Sequence, residues 1–397
     1  MPRSSYIKPS FPNLILPDGW NTAWLAAKAA AGVTPARLLV WGDSISAGTN
    51  GASDMVNKSW VGLLGASLAA QLGGLQADYF PAWGFGTAGG VANPPWSTML
   101  NGHALSNVTN FGWHTSGYYN GGLTTDAIQR FTSPVACTDM DLFYLDYNSG
   151  TFKYSVDGGA QQVLTCSAAG NGGNSSIKRQ QISGLSNTTH TLDIGWQSAG
   201  AVLLPMGAAI YPSGRSAGGL ALARFCNGGQ AATDYVAGTI AQNGPTDRIK
   251  LLGGVSPQGD AGTYTSPFGY PTQPHLGIFA MGANDCNNGK SGGDWATAIK
   301  RFIQACRRGV PNASVLLLVV CNPDSESSDG TGFQPGNWFS YWNVCGQFPA
   351  LYNVAVASVH ARWGETPVAN GFLTGPNTVH PTDAGHADIA NFLLPVL

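Results

Sequence analysis

Arg37-Leu-Leu-Val-Trp-Gly-Asp-Ser44-Ile-Ser-Ala-Gly48 joins an apolar run to a turn of small residues. Leu38-Leu-Val-Trp41 reads as a buried strand, which breaks at Gly42-Asp43-Ser44. A serine on a small-residue turn at the carboxyl end of a buried strand stands where open α/β sheets place ligand chemistry. An amphipathic stretch from Lys58 to Leu72 follows, with Trp60, Leu63, Leu64, Ser67, Leu68 and Leu72 at helical spacing. Strand, tight turn, helix is the geometry a nucleophilic serine needs, with its hydroxyl exposed and backbone N–H groups close by. Taken alone, a Gly-Asp-Ser turn is more often without chemistry. The rest of the chain changes that reading.

The sequence has 397 residues, a formal net charge of -2 and only 10% charged residues. That length buries a sizeable core. With no basic stripe, nucleic acid is not expected as a partner. Gly, Ser, Thr, Asn and aromatic side chains stand in for the usual Lys and Glu, a surface suited to carbohydrate contact or to assembly with other chains. Met1-Pro-Arg-Ser-Ser-Tyr6 lacks the cationic-then-apolar pattern of a signal peptide. No stretch is long and apolar enough to span a bilayer. The seven cysteines (137, 166, 226, 286, 306, 321 and 345) are odd in number and include no CxxC spacing. They read as small buried hydrophobes rather than a disulfide framework or zinc site, with Cys137 and Cys166 the one pair to check. No metal or organic cofactor is expected.

Along the chain, residues up to about 20 are Pro-rich and extended, and an Ala-rich helix then runs to Ala31. Between 77 and 212 helical periodicity disappears. Short strands read at Asp141–Asp146, Thr151–Val156, Ile182–Leu185, His190–Ile194 and Ala201–Ile210, with Asp157-Gly-Gly159 as a hairpin turn. This pattern predicts an inserted β-sandwich. Strands then read at Gly218–Phe225, Gln273–Ala280, Ser314–Val320 and Tyr352–Val359. Between them a helix is predicted with Asp294 as N-cap, Trp295, Ile299, Phe302, Ile303 and Cys306 on one face, and Gly309 and Pro311 at its end. The expected architecture is α/β, a doubly wound and mostly parallel sheet in three layers. It is built from 1–76 and 213–397, with 77–212 inserted, the insertion being a candidate glycan-binding or substrate-positioning module.

Special residues follow three strand ends: Ser44, the Asn227–Thr233 turn, and Asn284 in Met281-Gly-Ala-Asn-Asp285. A fourth block, Asn377-Thr-Val-His-Pro-Thr-Asp-Ala-Gly-His386, precedes an Ala-rich C-terminal helix. Gly-Asp-Ser, a Gly-rich turn, Gly-x-Asn-Asp and a late His-Pro, in this order, resemble the SGNH (GDSL-type) hydrolases. The resemblance implies Ser44 as nucleophile, with its own N–H facing the oxyanion, and Asn284 as oxyanion donor. It implies His380 as general base and Asn377 in the place of the acid that orients it. Either Gly228 or Gly229, or Ala231, supplies the remaining oxyanion N–H, according to whether the turn is anchored on Asn227 or on Thr233. Two departures from the family pattern stand out: Asn377 where an Asp is usual, and Ala231 where a Gly is usual in one register. Asn accepts a hydrogen bond from Nδ1–H but supplies no charge to the imidazolium. Asp383 is the nearest spare carboxylate, although a residue just after Pro381 reads first as part of a helix start. His386 reads as structural.

A second resemblance covers Asp18-Gly-Trp-Asn-Thr-Ala-Trp24, the Ser44 block and Lys58-Ser-Trp-Val-Gly-Leu63. These are similar to SGNH domains of minor tail proteins of phages infecting mycobacteria and related bacteria. That likeness implies a virion protein among other tail subunits, acting at the bacterial cell surface on acyl esters of envelope glycans. The expected function is a serine esterase working through an acyl-enzyme on acylated, above all acetylated, carbohydrate. The alternative is a catalytically weak receptor- or glycan-binding tail protein on the same scaffold. An acyltransferase shares the chemistry but has no sequence feature in its favour.

Overall fold

The computed structural model describes residues 12–85, 91–92, 94–97, 128–146, 151–165, 176–197, 205–226, 228–229, 231–235, 274–319, 335–364, 367–375 and 378–397. The first half contains β1 (Leu14–Ile15), α1 (Thr22–Ala29), β2 (Ala36–Gly42), α2 (Ser44–Ala47), α3 (Trp60–Gln71), β3 (Leu75–Pro81), β4 (Trp83–Phe85) and β5 (Val91–Ala92). Next come β6 (Ile128–Thr132), β7 (Cys137–Asp146), β8 (Thr151–Val156), β9 (Gln162–Thr165), β10 (Ser176–Thr188), β11 (Thr191–Trp196) and β12 (Pro205–Tyr211). The rest is β13 (Leu220–Cys226), β14 (Leu276–Ala280), α4 (Ala283–Asn287), α5 (Gly292–Gly309), β15 (Ser314–Val319), α6 (Pro335–Tyr352), β16 (Ala355–Ser358), α7 (Val359–Trp363) and α8 (Asp383–Leu393).

One ten-stranded sheet, in the order β1-β16-β15-β14-β2-β13-β3-β12-β7-β10, runs through the molecule. From β16 to β3 the neighbours are parallel. A parallel sheet of this kind is covered on both faces, and β2 shows it. Leu38 and Val40 point to one face, Leu39 and Trp41 to the other, and all four are buried. On the first face Leu222, paired with Leu38, lies under α3, so close that a Cβ on Gly65 would stand 2.7 Å from its methyl carbon. On the second face the Trp41 ring meets Phe302 of α5 edge-on at 5.9 Å. Helices on both faces make the doubly wound α/β arrangement that the alternation of runs predicts.

The segment 77–212 is joined to this sheet more closely than the sequence suggests. β12 pairs antiparallel with β3, and β7 and β10 continue the same sheet outward. The expected boundary at 76/77 therefore falls inside β3. A second, antiparallel sheet, β6-β11-β8-β9, contributes Phe131, Phe152, Leu192 and Ile194 to an apolar cluster shared with Met140, Leu142, Ala208 and Ile210 of the large sheet. Two sheets face to face over one core is sandwich packing.

One further reading changes. The α5 helix is capped by Ser291, not Asp294; Asp294 sits at the third helical position and returns a bond to the Ser291 N–H, a capping box. The short strand β1, antiparallel to β16, and the helix α6 carry no clear periodic signal in the sequence. Cys137 is a free, buried thiol, and Cys166 lies outside the described residues. No helix among the described residues is long and apolar enough to cross a membrane.

Candidate active site

The sheet register aligns the three sequence blocks. Gly42 at the end of β2 pairs with Cys226 of β13 on one side and with Ala280 of β14 on the other. Ser44, Gly228 and Asn284 thus leave the carboxyl edge of three adjacent parallel strands within four residues of one row. Such an edge is where an open α/β sheet accumulates chemistry.

Ser44 is the first residue of α2. The strand-to-helix turn before it is tight: a Cβ on Gly42 would stand 2.2 Å from the Ser46 Cβ, so only glycine fits there. Asp43 is the N-cap, its Oδ1 accepting from the Ile45 N–H at 3.0 Å. Gly48 closes the helix in the left-handed region, φ 79°. The Asp43 carboxyl is fully buried, and its Oδ2 has no hydrogen-bond partner. Burial pushes it up to about 7, against the Ile45 N–H and with help from the charge of Asp285.

His380 reaches this turn from the other end of the chain. Its Nε2 is 3.0 Å from the Ser44 Oγ, within reach for general-base catalysis. Burial lowers its pKa, so the ring is neutral and able to accept at neutral pH. The segment carrying it is held at several points. The His380 N–H donates to the Thr378 Oγ1 at 3.2 Å. A Cβ on Gly51 would stand 1.9 Å from the Pro381 carbonyl oxygen, so the loop after Ser44 packs directly on the His-Pro turn. Among the described residues none hydrogen-bonds to Nδ1. Asn377, expected there, lies outside the described residues.

Asp383 is occupied elsewhere. Its carboxylate accepts from the Ser53 N–H at 2.8 Å, the Ser53 hydroxyl at 2.7 Å and the Lys58 ammonium at 3.0 Å. The Ser53 and Lys58 bonds hold it down to about 2. It therefore staples the loop after Ser44 to the start of α8. His386 is buried, and its Nδ1 accepts from the Trp60 N–H at 3.2 Å, a tie between α8 and α3 that fits the structural reading.

The oxyanion candidates sit in different surroundings. Asn284 is half-buried on the short helix α4. Gly229 is exposed with φ 74°, whereas Gly228 and Ala231 are buried. Just beyond Ala231, the N–H groups of Ala232 and Thr233 donate to the Asp285 carboxylate at 2.7 and 2.9 Å. Asp285 has no solvent exposure. Sequence reasoning gave it no role, although it stands beside Asn284 in the quoted motif; its partners lie more than fifty residues earlier, where no local pattern points. Among the described residues no group of His, Cys, Asp or Glu side chains is placed to hold a metal.

Residues 214–387 match the GDSL-like Lipase/Acylhydrolase family. The GDSL-like stretch contains Asn284 and His380, while Ser44 precedes it, on the far side of the inserted strands. The chain also resembles a solved structure described as "Peptidoglycan O-acetylesterase in action, 5 min", at 14% identity over 95% of this chain and 94% of that one, with a TM-score of 0.57. A family two carbohydrate esterase from Cellvibrio japonicus is similar at 13% identity over 77% of this chain and 94% of that one, TM-score 0.30. TesA is similar at 17% identity over 45% of this chain and 78% of that one, TM-score 0.30. A search of curated proteins finds no significant match. At a TM-score of 0.57 the first of these structures shares the α/β fold of this chain.

Proposed function

We propose that this protein is a serine esterase that removes acyl groups, acetyl above all, from carbohydrate or cell-envelope glycan. The observation that carries the reading is the 3.0 Å approach of His380 Nε2 to Ser44 Oγ, brought together across 336 residues of sequence. In the reaction, Ser44 Oγ attacks the ester carbonyl carbon as its proton passes to His380 Nε2. The tetrahedral oxyanion takes hydrogen bonds from the Ser44 N–H, the Asn284 side-chain amide and an N–H of the 228–231 turn. Collapse breaks the C–O bond, His380 returns the proton to the leaving sugar hydroxyl, and an acyl-serine remains. Water, deprotonated by His380, then releases the carboxylic acid and restores Ser44.

The substrate class rests on the peptidoglycan O-acetylesterase, with which nearly the whole chain shares its architecture. We assign residues 77–212 the task of holding the glycan. The tail-protein resemblance of Asp18–Trp24 and Lys58–Leu63 leads us to place the activity on a virion, at the bacterial surface. Asn377, which supplies no charge to His380, favours a second reading, a glycan-binding protein with a weakened site.

Hydrolysis of an acyl ester series from acetate to octanoate separates the two. Turnover should be highest on acetate, and Ser44→Ala should lower it by at least ~10⁴-fold with the thermal midpoint unchanged. Equal turnover by the Ala variant would falsify the nucleophile assignment. Absence of turnover on every ester, with retained binding of the glycan, would favour the binding reading.

A further inference from the structure

We propose that Asp285 is a positioning residue that sets two elements of the oxyanion site as one unit, an inference that rests on the esterase reading above. Its carboxylate is completely buried and grips two successive backbone amides, Ala232 N–H on Oδ2 and Thr233 N–H on Oδ1, at 2.7 and 2.9 Å. A buried carboxylate paired with two N–H donors forms short, charge-assisted bonds whose geometry is closely fixed. The amides it holds begin the 3₁₀ turn Ala232–Tyr235, immediately after the 228–231 turn. The side chain it neighbours along the chain is Asn284.

The base of this arrangement is rigid. Gly282, φ 144°, packs where a Cβ would stand 3.2 Å from the Trp295 Nε1, and that N–H donates to the Met281 carbonyl at 3.2 Å. The start of α4 is thus pinned to α5, and Asp285 passes that fixed position on to the turn after β13. The turn that carries Ser44 leaves the neighbouring strand, because Gly42 at the end of β2 pairs with Ala280 at the end of β14. Asp285 therefore lies where the ends of β2, β13 and β14 converge. It acts through the turn and the helix that it joins.

The discriminating experiment compares wild type, Ser44→Ala and Asp285→Asn on an acetyl ester. Active serines are counted by a fluorophosphonate, and phenylboronic acid serves as the tetrahedral-anion probe. The carboxamide keeps one acceptor but turns an N–H₂ towards the second backbone N–H, so one amide of the turn is released. We expect kcat per titrated serine to fall by ~10²-fold with KM within ~3-fold. Boronate affinity should weaken in step with kcat, while affinity for acetate stays unchanged. Asp285→Glu, which keeps the charge but displaces it, should show the same split and replaces the Asn variant if that one does not fold. A purely structural role would lower the thermal midpoint while leaving kcat per titrated serine and boronate affinity at wild-type values, and this result overturns the inference while leaving the esterase intact. Absence of Ser44-dependent turnover in the wild type overturns the esterase reading, and the positioning role with it.

Discussion

The environment of His380, the proposed general base, pulls its pKa in one direction. Burial lowers its pKa, and among the described residues no carboxylate faces Nδ1 to raise it again. The kcat/KM profile should therefore rise from acid pH with a midpoint below the ordinary histidine value of about 6.5 and stay flat through neutrality. A profile still rising at pH 7.5 would show a partner that raises the pKa. On the proposed reading, Asn377→Asp should move that midpoint upward, because a negative charge beside the ring favours the imidazolium, and should raise kcat. The reverse change in a serine protease costs ~10⁴-fold, which sets the upper limit of the gain. Asn284→Ala should lower kcat by ~10²- to 10³-fold, the usual loss for one oxyanion donor, measured on the same ester. The approach of His380 to Ser44 is foreshadowed in the sequence because each sits in a short motif, one at a predicted strand end and one before a predicted helix. Asp285 and the Ser53–Asp383–Lys58 staple are not legible as partners. Their bonds depend on which strands lie side by side, and no local pattern encodes that.

The Ser44 turn joins a structural requirement to an electrostatic cost. Gly42 makes room for Ser46, Asp43 caps α2, and the cap is a buried carboxyl with one oxygen unpartnered. Its folded pKa, about 7, lies above the ordinary carboxyl value of 3.8. Below pH 4 both folded and unfolded chains hold the proton. Between about 4 and 7 the unfolded chain releases it while the folded one keeps it, so stability falls as pH rises through this window. Asp43→Asn keeps an N-cap oxygen without the titration. Its thermal midpoint, relative to wild type, should therefore improve steadily from pH 4 to pH 7 and level off above; a difference independent of pH would mean the Asp43 proton is not the cause. The α5 start illustrates the limits of local reading at this scale. Asp294 is a good N-cap residue type, but Ser291 three positions earlier completes a reciprocal box with it. Ser-x-x-Asp carries that signal, which a search for one capping residue overlooks.

Across the whole molecule, alternation along single segments reveals strands but not their neighbours. The sequence shows a β-rich stretch between two α/β parts; only pairing shows that β12, β7 and β10 extend the parallel sheet. The two apolar cores consequently trade residues: Phe143, Ala209 and Tyr211 of the inserted stretch sit in the larger core, and Val56, from outside that stretch, sits in the smaller one. Shared strands and shared cores predict one cooperative unfolding transition. His190, between β10 and β11, offers a handle to test this. Its buried ring places Nδ1 2.6 Å from an Asp157 oxygen and Nε2 2.7 Å from the Ser186 carbonyl, both acceptors, so only the imidazolium donates to both. Burial opposes the charge, but the Asp157 carboxylate and the Ser186 carbonyl outweigh it and raise the pKa above 6.5. The stabilisation is then complete below about pH 6.5 and is lost as pH rises through the elevated folded value. His190→Gln should lower the thermal midpoint at pH 6 and lose that effect above the folded pKa. In a single cooperative unit the same substitution shifts, by the same amount, the temperature at which Ser44-dependent ester hydrolysis disappears. If the fluorescence midpoint moves while the activity midpoint stays in place, the second sheet melts separately and the continuous sheet does not couple the two parts.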